Sequence, residues 1–150
     1  MNFTRTQKDV DDALKLRAEK VQTFHELAES EIEILEKGTL TYNTLNRIEN
    51  KQAELKQLLN SIGYWSTSII NKAWNEKQIF NKDEFQRIVD NENILRDAFF
   101  VYSDTPKTPP VSYYYEDINS LEKILYDLEK MIENTKSFFR ECDTFECGEW

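Results

Sequence analysis

Glycine is nearly missing from this chain: only Gly38, Gly63 and Gly148 occur in 150 residues, so no glycine-rich loop is present to cradle a phosphate. Histidine occurs once, at His25. The word His25-Glu26-Leu27-Ala28-Glu29 has a glutamate where a zinc-binding helix needs its second histidine, so His25 reads as a surface or capping residue. The two cysteines, Cys142 and Cys147, stand close together at the C-terminal end, where a disulfide closes a tiny loop and constrains little chain. They read as free tail thiols, too few for a zinc site and without a nearby histidine to make a nucleophile. No metal, no cofactor and no catalytic residue is expected, and abundant glutamate does not by itself make an acid catalyst. The chain is therefore read as a non-enzyme.

Long apolar runs are also lacking. No stretch approaches the roughly 20 apolar residues that span a bilayer, and the N-terminus has no signal-peptide core, so the expectation is a soluble chain with no membrane partner and no general export. Positive charge is scarce: 19 Lys and Arg stand against 28 Asp and Glu, a net charge of -9. A field of that sign repels phosphate, and no basic cluster offsets it, so nucleic acid is not an expected partner.

What remains is polar and periodic. Hydrophobic residues make up 39% and charged residues 31%, which suits a thin core or an elongated helical shape. The patterning predicts an all-α fold of about five amphipathic helices in an irregular bundle. Thr4 with Gln7 and Thr23 with Glu26 have capping-box spacing, predicting a first helix over Thr6 to Gln22 and an acidic, solvated second helix over Phe24 to Lys37. Gly38 is expected to stop it through a left-handed backbone. Leu45, Ile48, Leu55, Leu58 and Leu59 mark a third helix ending near Gly63, and Tyr64 to Phe80 reads as irregular. Asn81 and Glu84 cap a fourth helix. Tyr115 to Phe139 is the longest, with heptad-like apolar spacing. Pro106, Pro109 and Pro110 make 103–111 an extended, semi-rigid linker inside a single domain of 1–140, leaving 141–150 as a tail.

Three of these helices align with one another. At an offset of 40, Leu45, Arg47, Ile48, Leu55 and Leu59 match Phe85, Arg87, Ile88, Leu95 and Phe99. At an offset of 73, Tyr42, Leu45, Asn46, Ile48, Glu49, Leu55 and Leu59 match Tyr115, Ile118, Asn119, Leu121, Glu122, Leu128 and Ile132. Each gives a helix with one apolar stripe that cannot be buried alone, so the three are expected to pack together.

Two words in the first 60 residues carry a resemblance. Arg5-Thr6-Gln7-Lys8-Asp9-Val10 and Thr41-Tyr42-Asn43-Thr44-Leu45-Asn46-Arg47-Ile48-Glu49-Asn50, with the Lys37-Gly38 turn between them, resemble virion structural proteins of tailed phages that infect Gram-positive bacteria. Thr44 departs from the aspartate often found before that leucine, which weakens the helix-start charge but not the cap. The resemblance implies a baseplate, tail-tip or fibre-attachment component, made in the host cytoplasm and present in several copies in the virion. Its partners would be other virion proteins and itself as a homo-oligomer. The alternative is a free helical regulatory or chaperone-like protein binding one client.

Candidate partner-contact residues are aromatic: Tyr113 and Tyr114 after the prolines, and Phe138, Phe139, Phe145 and Trp150 toward the C-terminus. The tyrosines suit either an adhesive surface or helix-start packing. The tail docks either on a neighbouring subunit or back on its own helices.

Overall fold

The computed structural model describes residues 3–22, 25–64, 68–110 and 114–143, with side chains to 138. Every regular element among them is helical. Helix α1 spans Gln7–Leu16 and continues as a π-helical turn over Arg17–Val21; α2 is Glu29–Gly38, α3 Tyr42–Ser61, α4 Lys82–Ala98 and α5 Tyr115–Asp143. The expected all-α architecture of about five helices is therefore observed.

Local chemistry explains most of the ends. Thr6, not Thr4, caps α1: its hydroxyl accepts from Asp9 N while Asp9 accepts from Thr6 N at 2.7 Å. Hydrogen bonds from Lys37 (2.8 Å) and Thr6 hold the Asp9 carboxyl down at about 2. Thr41 and Asn81 cap α3 and α4. Gly63, at φ 97°, ends α3 in a Schellman turn, with Gly63 N donating to Asn60 O and Tyr64 N to Leu59 O.

Helix two starts later than expected, after Ala28, whose N–H is held by Glu31 Oε2 at 2.9 Å; residue 23 of the expected cap lies outside the described residues. Gly38 also corrects its reading. It is the last residue of α2 and takes no left-handed backbone; a Cβ there would collide with the carbonyl oxygen of Asp9 and stand 2.5 Å from Ala13 Cβ. Its function is to let α1 and α2 approach closely.

The core is a three-helix bundle in which α3, α4 and α5 each pack on both others. The aligned positions form its layers: Leu45, Phe85 and Ile118; Ile48, Ile88 and Leu121; Leu55, Leu95 and Leu128; Leu59, Phe99 and Ile132, all buried. Gln52, Glu92 and Leu125 occupy a further equivalent layer, each fully buried. The repeat is thus a threefold arrangement of helices around one core. The segment 101–110 is non-helical, turns at 103–104 where Thr105 N donates to Tyr102 O at 3.1 Å, and is fastened to the bundle. Thr105 and Pro109 are buried, Thr105 donates to Asp127 at 2.8 Å, Thr108 to Asn93 at 2.6 Å, and Arg96 to the carbonyl of Pro106.

Helices α1 and α2 pack on each other and make at most slight contact with α3, α4 and α5. Among its described residues this hairpin buries only Ala13 and leaves Leu14, Val21, Ile32 and Ile34 exposed.

Candidate protein-binding surfaces

Helix propensity and apolar stripes place the bundle, but buried polar groups fix how extended chain lies across it. Segment 68–75 runs over α3 and α4 and is gripped at alternate residues, as its two-residue period allows. Asn91 of α4 holds Ile70 by both backbone groups, accepting from Ile70 N at 3.1 Å and donating to Ile70 O at 2.7 Å. Asn46 of α3 holds Trp74 in the same way, at 2.7 and 2.9 Å. Between them Glu49, buried in α3, accepts from Lys72 N and the Trp74 indole, both at 2.6 Å, and from Arg87 of α4 at 2.5 and 2.9 Å. Neighbouring Glu49 holds the Arg87 guanidinium above its ordinary value.

The N-terminal segment repeats this arrangement on α5. Asn119, the match of Asn46, accepts from Arg5 N at 3.2 Å and donates to Arg5 O at 2.9 Å. Glu122, the match of Glu49, is fully buried and receives Arg5 at 2.6 Å and Arg47 at 2.7 Å. Two residues earlier the Phe3 ring lies 5.4 Å from Tyr126, with Lys123 Nζ 5.7 Å from both ring centres. The third equivalent place has no such grip: Val89 stands where Glu49 and Glu122 stand, and Ser120 where Arg47 and Arg87 stand. The Asn46/Asn119 and Glu49/Glu122 matches are the sequence signal for these two seats, but nothing in one dimension says that an asparagine will hold backbone.

Of the expected contact residues, only Tyr114 and Phe138 have described side chains, and these two lie far apart. Tyr114 is exposed just before α5, and Phe138 is exposed near its other end, roughly 35 Å away at the helical rise. Phe139 lies on α5 with only its backbone described; Tyr113, Phe145 and Trp150 lie outside the described residues. Tyr114 instead borders a cleft of about 300 Å³ between the hairpin and the bundle, lined by Arg5, Val10, Gly38, Leu40, Tyr115 and Ile118 among others.

The apolar surface that sequence reading missed is the hairpin. Leu14 is 53% exposed, Ile32 45%, Ile34 41% and Val21 39%. Leu14 and Val21 share one helical stripe and Ile32 and Ile34 stand in an acidic helix, and only the fold shows that all four remain exposed. Among the described residues no group of three or more His, Cys, Asp or Glu could hold a metal ion, and no helix is long and apolar enough to cross a membrane. No protein-family model, curated protein or solved structure matches the chain.

Proposed function

We propose that this chain is a structural or adaptor subunit of a phage or phage-tail-like particle and works by binding other proteins. The observation that carries this reading is the α1–α2 hairpin. Isolated helices of its length are marginal in water, and this pair buries one alanine while exposing four large aliphatic side chains. A hairpin of that kind gains stability when another protein covers it. Its place in a particle rests on the resemblance of the Arg5 to Val10 and Thr41 to Asn50 words, which here supply Arg5, Asn46, Arg47 and Glu49 of the two seats.

The test is fractionation. A tagged chain expressed in a particle-producing host is followed by immunoblot across a density gradient. Banding with particles is the expected result, and it should disappear for Leu14→Glu/Ile32→Glu while circular dichroism of the purified variant stays unchanged. A wild-type chain found only in the free protein fraction refutes the reading and favours a free client-binding protein.

A further inference from the structure

The seat on α5 has the features of a peptide-binding site. Asn119 reads backbone without regard to sequence, buried Glu122 selects a guanidinium, and Tyr126 with Lys123 takes an aromatic ring two residues upstream. Its occupant is the chain's own segment Phe3 to Thr6, a strap whose Arg5 lies 117 residues from Glu122 in sequence. The sister segment 68–75 is tied to α4 by a short loop and can reach only its own bundle. The strap is joined to α3 through the whole of residues 7–40.

That intervening arm is poorly attached. Its helices pack chiefly on each other, a cleft of about 300 Å³ separates it from the bundle, and Thr39 and Thr41, at its junction with α3, are both extended. Among the described residues, nothing buries the exposed aliphatic side chains of the hairpin.

We propose that the α5 seat accepts the Phe3–Thr6 strap of a second copy of this chain, so that subunits join by exchanging N-terminal arms. Exchange preserves every bond of the strap, because the same Arg5 meets the same Asn119 and Glu122, and only the path of residues 39–41 changes. Swapping of an identical element is a low-cost route between subunits, and here each copy supplies the arginine that completes the other's buried carboxylate site. The two hairpins brought alongside by the exchange offer each other the apolar surface that a lone copy leaves in water. This inference concerns the chain alone and stands or falls apart from the particle assignment.

The experiment uses full-length chains carrying Cys142→Ser and Cys147→Ser. One carries Phe3→Cys and the other Tyr126→Cys; they are co-expressed, mildly oxidised and resolved without reductant. Exchange predicts a disulfide-linked heterodimer at twice the 17.9 kDa mass, joined between F3C and Y126C by peptide mass mapping. A chain carrying both substitutions serves as the comparison. If it forms the bond only within itself and the co-expressed pair forms none, the strap closes in cis and the proposal is wrong; absence of the bond in both also overturns it, since the strap then does not sit at Tyr126.

Discussion

Replacing Glu49 with glutamine should test whether the buried carboxylates, rather than the apolar layers alone, hold extended chain on the bundle. Each Glu49 oxygen accepts two hydrogen bonds: Oε1 from the Trp74 indole and Arg87, Oε2 from Lys72 N and Arg87. A glutamine keeps one acceptor oxygen and turns an amino group toward the remaining donors, so part of the set is lost and Arg87 keeps only Glu84, 3.0 Å from its Nε, as a counter-charge. Breaking a buried ion pair from one side costs about 3–5 kcal/mol. Because the Arg87 side chain retains 20% exposure and recovers some water, the lower end applies, about 3 kcal/mol. In a chain of this size that corresponds to a fall of about 6–12 °C in Tm. Urea unfolding followed by far-ultraviolet circular dichroism measures it, with Glu54→Gln, at an exposed Lys51 pair, as a control expected within about 0.5 kcal/mol of wild type. A Glu49→Gln loss under about 1 kcal/mol would refute the reasoning, because it would mean that water already satisfies those donors.

Glu92 is fully buried, its Oε1 has no hydrogen-bond partner, and burial raises its pKa well above 4.5, so the folded state holds its proton where the unfolded state releases it. Its contribution is complete below pH 4.5 and declines as pH rises toward the elevated folded value. Glu92→Gln should therefore match wild type near pH 4 and exceed it increasingly toward pH 8 in denaturant titrations; a pH-independent difference would contradict the assignment. Gly38→Ala forces Cβ into Asp9 and Ala13 and should destabilise the hairpin by about 1–3 kcal/mol, read as faster amide exchange confined to α1 and α2. Leu55→Ala, at a fully buried bundle layer, should cost about 2–5 kcal/mol and leave the chain folded but less stable in the same urea assay.

The bundle was legible because it is made of periodicity. The repeat of Leu45, Ile48, Leu55 and Leu59 in two later helices named the layers of the core before any contact was visible, and Asn81 with Glu84 placed the start of α4. The hairpin was less legible. Thr23 and Glu26 had the spacing of a capping box, yet the helix begins after Ala28, where the side chain of Glu31 supplies the capping bond alone. Gly38 was read through the commonest use of glycine at a helix end, whereas a close crossing with Asp9 and Ala13, on a different helix, decided it. The prolines marked the non-helical chain between α4 and α5, but not the anchors Thr105 and Thr108, which tie it to groups on α5 and α4. The clamp residues were visible only as matches. That Arg47 pairs with Glu122 and Arg87 with Glu49 depends on which helices become neighbours, information that local spacing does not hold.

The seat for Arg5 sets an order of events during synthesis. A ribosome makes Arg5 117 residues before Glu122, so the strap must wait in solvent until that stretch of chain has followed. Through that interval α3 and α4 can pair, but the groove between α3 and α5 does not yet exist, and contacts of such long sequence separation form slowly. The strap therefore finds its seat only after α5 has formed, and a neighbour being made on the same message can meet it during that wait.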